Sequence, residues 1–131
     1  MASKSGSSVA LDFDGIDDYV NVPVISLPAN SDYTIEFWSY VATADLQSER
    51  AFYIYGSNIM AHTPWSDQRI YFDDNGVRVD GNYAASMNKW THVALVSTGT
   101  AGGFKGIYLD GILIASNPTG SGSNPASTSM R

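Results

Sequence analysis

The chain has 131 residues, of which 44 per cent are apolar and 12 per cent aromatic, and thirteen acidic against seven basic side chains give a net charge of −6. That length suits one domain with a real core, and the apolar content excludes general disorder. The acidity excludes a nucleic-acid binder, no apolar run approaches the ~18 residues of a membrane span, and the absence of cysteine excludes disulfides, zinc–thiolate sites and cysteine nucleophiles together.

Residues 1–8 are polar, with no hydrophobic stretch before Val9. They are expected to be a flexible N-terminal segment rather than a secretion signal. From Val9 onward helical periodicity is missing. Short runs rich in Val, Ile, Tyr, Phe, Trp and Thr alternate with Gly, Asn, Asp and Pro, which is strand composition with turn punctuation. Strands are expected at Val9–Phe13, Tyr19–Val24, Tyr33–Val41, Ala51–Tyr55, Ile59–Ala61, Arg69–Phe72, Val77–Val79, Trp90–Ser97, Gly106–Leu109 and Ile112–Ser116. Asp73-Asp74-Asn75-Gly76 and Asp110-Gly111 supply the positive φ angles of tight hairpins. The other Gly and Pro sites, among them Pro23, Pro64 and Gly81, suit loops. From Asn117 the chain is dominated by Gly and Ser, so 118–131 reads as a tail or linker. Ten short strands predict an all-β domain over 9–117, built as a two-sheet antiparallel sandwich or a barrel.

Strand faces follow from alternation. In Tyr33–Val41 one face carries Tyr33, Ile35, Phe37, Ser39 and Val41, the other Thr34, Glu36, Trp38 and Tyr40. In Trp90–Ser97 the faces are Thr91, Val93, Leu95, Ser97 and Trp90, His92, Ala94, Val96. Both strands are apolar on both faces, which predicts one face in the core and the other under a loop or in a groove.

Four motifs in order resemble laminin-G-like, concanavalin-A-like jelly-roll domains. They are Ala10–Val22, with its Leu11-Asp12-Phe13-Asp14-Gly15 opening, Tyr33-Thr34-Ile35-Glu36-Phe37-Trp38, Trp90-Thr91-His92-Val93-Ala94-Leu95-Val96, and Ile107-Tyr108-Leu109-Asp110-Gly111. The resemblance implies a β-sandwich (jelly roll) of two antiparallel sheets with about six or seven strands each. It also implies that Trp38 and Trp90, as motif residues, belong to the core, and that His92 bonds within the sheet. One departure stands out: a closing strand of the type G-x-I-D-E-V-R-I does not appear before Arg131. Its place beside the first strand is expected to be empty, filled by the tail, or filled by another chain, and an open strand edge invites pairing.

Catalysis has little to rest on. Related glucanases carry closely spaced acids on one strand face, and glycoside cleavage needs two carboxyls about 5–9 Å apart. Here there are only Glu36 and Glu49, and Glu36 has no acidic neighbour at i+2 or i+4. No nucleophile elbow or phosphate loop appears. No catalytic residue is therefore expected. Asp12, Asp14, Asp17 and Asp18, and again Asp73, Asp74, Asn75 and Asp80, are dense in the hard oxygens calcium takes. Both stretches fail the EF-hand pattern, and turn formation explains them as well. No cofactor is required. Calcium stays open as an alternative, since many laminin-G-like domains bind it, and metal ligands stay unassigned.

The aromatic residues point to recognition. Sugars stack their apolar faces on Trp and Tyr while Asn, Asp and backbone groups bond the hydroxyls. Trp65 sits in the loop-like Ala61-His62-Thr63-Pro64-Trp65-Ser66-Asp67, where it either binds or caps the sandwich. Tyr55, Tyr71, Tyr83 and Asn82 complete the expected ligand-binding set, with Asn58 and Asp80 as polar company. The expected function is non-catalytic recognition of a glycan or cell-surface partner, as an adhesion module. The alternatives are a structural or decoration component of a larger assembly, such as a bacteriophage virion, and a glycoside hydrolase. Expected partners are a glycan or surface protein, with a homo-oligomer or larger assembly as a further case, and no nucleic acid or membrane insertion. The expected setting is an extracellular surface or virion.

Overall fold

The computed structural model describes residues 11, 20–23, 28, 30–46, 51–55, 59–74, 76–98, 103–118 and 129–130. Ten strands fall among them: β1 (Val22–Pro23), β2 (Tyr33–Ser39), β3 (Phe52–Tyr55), β4 (Ile59–His62), β5 (Arg69–Asp74), β6 (Val77–Asn82), β7 (Thr91–Ser97), β8 (Lys105–Leu109), β9 (Ile112–Asn117) and β10 (Ser129–Met130). They form a six-stranded sheet, β1-β10-β3-β4-β5-β6, and a four-stranded sheet, β2-β7-β8-β9. Every neighbouring pair is antiparallel. The all-β two-sheet sandwich expected from the alternation is the observed fold. The helical elements among the described residues are two single 3-10 turns, Thr43–Asp45 and Ala84–Ser86. Among the described residues no helix is long and apolar enough to cross a membrane.

Period-two patterning builds the core. Tyr33, Ile35 and Phe37 of β2 share one face, as do Val93 and Leu95 of β7 and Ile107 and Leu109 of β8. Ile59, Ala61, Ile70, Phe72 and Val79 oppose them from the six-stranded sheet. Each fully buried large side chain contributes about 1.5–3 kcal/mol through loss of apolar surface to water. The hairpins form where expected. Asp110 and Gly111 take φ of 50° and 79°, both positive as a two-residue turn with the right twist requires. Gly81 corrects the loop expectation. It lies inside β6, paired with Ile70, and a Cβ there would sit 2.6 Å from Ile114 Cδ1 of the facing sheet. A glycine is kept because the two sheets approach closely at that point.

The expected Val9–Phe13 strand lies outside the described residues, apart from an exposed, non-strand Leu11. Two further expectations change. Pro23 is in strand β1, at the edge of the six-stranded sheet among the described residues, and not in a loop. The segment 118–131, read as tail or linker, supplies β10. Ser129 and Met130 lie between β1 and β3, with Met130 opposite Val22 and Ile54. Composition missed this because two residues of ladder pairing need backbone groups only. The slot expected beside Val9–Phe13 lies outside the described residues.

One polar cluster crosses the core. Tyr33, Ser97 and Lys105 occupy one row across β2, β7 and β8, and Asp74 reaches them from β5. The Lys105 ammonium and the Asp74 carboxylate are both fully buried, 2.9 Å apart. Lys105 Nζ also donates to the Asp74 backbone carbonyl at 2.8 Å, and the Ser97 hydroxyl donates to Asp74 Oδ2 at 2.8 Å. Burial pushes Lys105 below the ordinary lysine range, against the opposing pull of Asp74. Burial, then the charge of Asp74, pushes the Tyr33 phenol above the ordinary tyrosine range. Such a pair adds little net stability, but losing one partner strands a charge in the interior.

Candidate functional site

The outer face of the six-stranded sheet carries the site. In β5 the inward residues are Ile70, Phe72 and Asp74, so Arg69, Tyr71 and Asp73 face out. The register sets Tyr71 between His62 of β4 and Asp80 of β6, and Asp73 between Met60 and Arg78. The loop from β4 to β5 then folds back over this face. It contains a cis Thr63–Pro64 bond and a left-handed Gln68 (φ 61°). Its own backbone holds it: Trp65 N–H donates to the Arg69 carbonyl at 2.8 Å and Gln68 N–H to the Trp65 carbonyl at 2.9 Å. Asp67 Oδ1 accepts from Arg69 N–H at 3.0 Å.

These constraints set three rings on edge to one another. His62 and Trp65 centroids lie 4.4 Å apart at 83°, His62 and Tyr71 6.3 Å apart at 83°, and Trp65 and Tyr71 6.5 Å apart at 81°. The Arg78 guanidinium lies over the Tyr71 ring at 4.9 Å from its centroid. Together His62, Trp65, Tyr71 and Arg78 line a pocket of about 150 Å³. His62 is buried at its base, and Trp65 and Tyr71 are half-buried.

Charge around the pocket is paired. Arg78 grips Asp73 through Nε at 2.6 Å and Nη2 at 2.8 Å. Arg69 grips Asp80. The Tyr71 hydroxyl donates to Asp67 Oδ2 at 2.5 Å. That bond holds the Asp67 carboxyl below the usual carboxylate range and the Tyr71 phenol above its own. The pocket thus sets three aromatic rings and a guanidinium around one small concavity, with the neighbouring carboxylates paired beside it.

Of the expected ligand-binding set, Trp65 and Tyr71 come together here. Tyr83 does not join them. It is fully buried in the core, because the inward face of the sandwich takes the ring that follows β6, and its hydroxyl has no hydrogen-bond partner among the described residues. Asn82 is exposed and spends its side-chain oxygen on the Ala84 N–H at 2.9 Å, which starts the second 3-10 turn. Tyr55 ends β3 opposite Ser129, and its side chain lies outside the described residues, as does Asn58. His62 and Arg78 were missed as site residues. Hairpin arithmetic could have found Arg78: a two-residue Asn75-Gly76 loop pairs Asp74 with Val77 and hence Asp73 with Arg78.

Calcium ligation does not fit the second acidic stretch. Asp73 and Asp80 face arginines, Asp74 is buried against Lys105, and no three His, Asp or Glu side chains converge among the described residues. Asp12, Asp14, Asp17 and Asp18 lie outside the described residues.

The opposite outer face corrects a second expectation. Trp38 and Trp90, assigned to the core, are 64 and 66 per cent exposed. A two-layer sandwich buries one face of each sheet, and alternation gives that face to Ile35, Phe37, Val93 and Leu95. His92 stays within the sheet as expected. Its N–H bonds Asp110 Oδ1 at 2.9 Å and its ring packs on Trp38 at 5.3 Å.

The comparisons agree with the geometry. The laminin-G family of the concanavalin A-like lectin/glucanases superfamily matches residues 14–130. The chain belongs to this superfamily. The match takes in three of the four motifs whole and part of the first, together with the C-terminal stretch that supplies β10. No curated protein matches the chain. Superfamily membership is consistent with carbohydrate or partner binding, and its name spans lectins and glucanases alike.

Proposed function

We propose that this laminin-G-like domain is a non-catalytic recognition module that binds a glycan, or a partner on a cell surface, through the pocket of His62, Trp65, Tyr71 and Arg78. The observation that carries the reading is the half-exposed indole of Trp65, held over two further rings by a loop with its own hydrogen bonds. A rigid aromatic wall costs little ordering on binding. Arg78, which lines the pocket with its guanidinium paired to Asp73, is the charged group a sugar's hydroxyls would meet there.

Acid–base chemistry is poorly served. A general acid needs a carboxyl with a raised pKa, whereas Asp67 is lowered by its bond to Tyr71. On the other sheet, the cross-strand neighbours of Glu36 are Ala94 and then Tyr108, neither of them a carboxylate. The reading requires no metal. An extracellular surface or a virion is the setting such a module suits.

The test is a glycan-array screen, followed by calorimetric titration of any ligand found, with and without EDTA. Trp65→Ala should weaken binding about tenfold or more, the equivalent of about 1.4 kcal/mol, with an unchanged circular-dichroism spectrum. EDTA should have no effect. An unaltered affinity in Trp65→Ala would remove the pocket from consideration. Turnover of a polysaccharide that vanishes in Glu36→Gln would replace recognition with catalysis. A second reading, a structural component of a larger assembly such as a bacteriophage virion, is favoured by the exposed rings of Trp38, Tyr40 and Trp90.

A further inference from the structure

The inward stripes of the two sheets each carry a charge. Period two puts Lys105 in line with Ile107 and Leu109 of β8, and Asp74 in line with Ile70 and Phe72 of β5. Lysine is rarely buried in this way. The two charged ends meet between the sheets at 2.9 Å, and neither side chain is exposed to water. Two further bonds fix the geometry. Lys105 Nζ donates to the Asp74 backbone carbonyl at 2.8 Å, and the Ser97 hydroxyl donates to Asp74 Oδ2 at 2.8 Å. The rings of Tyr33 and Phe72, edge to face at 6.4 Å, belong to the same buried core.

We infer that Lys105 and Asp74 are the two halves of an intramolecular amide bond, formed once the sandwich has folded. In water an ammonium and a carboxylate do not condense, because hydration holds both charges and the nitrogen has no free lone pair. Burial removes that hydration and favours the neutral forms. It already pushes Lys105 below the ordinary lysine range. Proton transfer from Nζ to the carboxylate sets an amine beside a carboxylic acid, in a fixed contact that free reactants lack. The nitrogen lone pair forms the Nζ–Cγ bond. The Cγ–Oδ1 bond breaks, and Oδ1 leaves as water with the transferred proton and a second proton from nitrogen. No oxidation and no co-reactant enter. Ser97 stays on Oδ2, where its hydroxyl stabilises the charge of the tetrahedral intermediate.

The product suits its site better than the ion pair does. It is neutral, its N–H faces the Asp74 backbone carbonyl, and its oxygen faces the Ser97 hydroxyl. The bond joins β5 to β8, and so one sheet to the other. It closes residues 74–105 into a loop that unfolding does not open, a restraint of the kind a disulfide supplies, in a chain without cysteine. It is independent of what the Trp65 pocket binds.

Intact-mass spectrometry of the purified full chain, unfolded in acid, tests the inference. The expected mass lies one water below the sequence value. Lys105→Arg and Asp74→Ala should each restore the sequence value. Tryptic digestion of the denatured wild-type chain is a second readout that needs no variant to fold. Trypsin should cut after Arg78 and Lys89 but not after acylated Lys105, and release a branched peptide that joins 70–78 to 90–131. A wild-type chain at the sequence mass, cut after Lys105, overturns the inference. So does a missing water that persists in Lys105→Arg, which would place the dehydration elsewhere, as at Asp110-Gly111. Mass reads the bond directly, which the unfolding of Lys105 variants does not.

Discussion

The two outer faces of the sandwich are built by the same alternation and look nothing alike. On the six-stranded sheet the outward positions hold Arg69, Tyr71, Asp73, Arg78 and Asp80, and the charges cancel pairwise. On the four-stranded sheet they hold Trp38, Ala94, Val96, Tyr108 and Leu113, with Glu36 and His92 as the ionisable groups of the central strands. The first face meets water well and keeps its one large indole in a pocket. The second holds large rings that are half or more exposed to water. Water tolerates paired charges cheaply, whereas exposed aromatic patches of this size usually mark a contact. One face therefore suits a small polar ligand, and the other an extensive apolar partner.

The largest expected effect abolishes both faces at once. Lys105→Met leaves the Asp74 carboxylate buried without its cation, and should cost about 3–5 kcal/mol in urea unfolding. Adding Asp74→Leu should recover most of that loss. Failure to recover would mean that Ser97 and the backbone, and not the charge pair, hold the row together.

Next comes a test of whether the two faces act apart. Trp65→Ala should weaken ligand binding in calorimetric titration, and Trp90→Ser should leave it unchanged. Loss of binding in Trp90→Ser would show that the faces are coupled.

A smaller effect belongs to the charged face alone. Arg78→Ala removes the Asp73 pair, which is largely exposed on the arginine side, so its cost in thermal unfolding should stay below about 1 kcal/mol and shrink with added salt.

Tyr71 reports pH. Its folded pKa is raised by the bond to Asp67. The proton is therefore held more tightly folded than unfolded, and this contribution is present below the ordinary tyrosine value of about 10 and lost above the folded one. Asp67→Asn should bring tyrosinate formation, read by ultraviolet absorbance, back towards that ordinary value. The smallest effect is expected in the core. Tyr83→Phe removes a buried hydroxyl that has no partner among the described residues, and should be neutral or stabilising by up to about 1 kcal/mol.

Much of this was legible in the residues. Strand composition, period two and the Asn-Gly and Asp-Gly turns determine an antiparallel sandwich and its strand boundaries to within a few residues, because these signals act between neighbours in sequence. Trp65 and Tyr71 could be proposed as partners for the same reason: they flank one tight connection. Other features depended on which groups meet across the sandwich. Tyr83 looked like a neighbour of Trp65 along the chain, but alternation and the following turn send it into the core. Nothing in the sequence around Lys105 marks it as buried, and only the fold brings Asp74 of β5 over it. Trp38 and Trp90 were expected in the core as residues of the family motifs, and only the two-layer architecture decides that their face is the outer one. Sequence alone determined the local conformation and the inward stripe of each strand, since both follow from the backbone period. Tertiary structure decided which charges found partners, which rings formed a pocket and which stayed in water, since those outcomes depend on contacts between residues far apart in the chain.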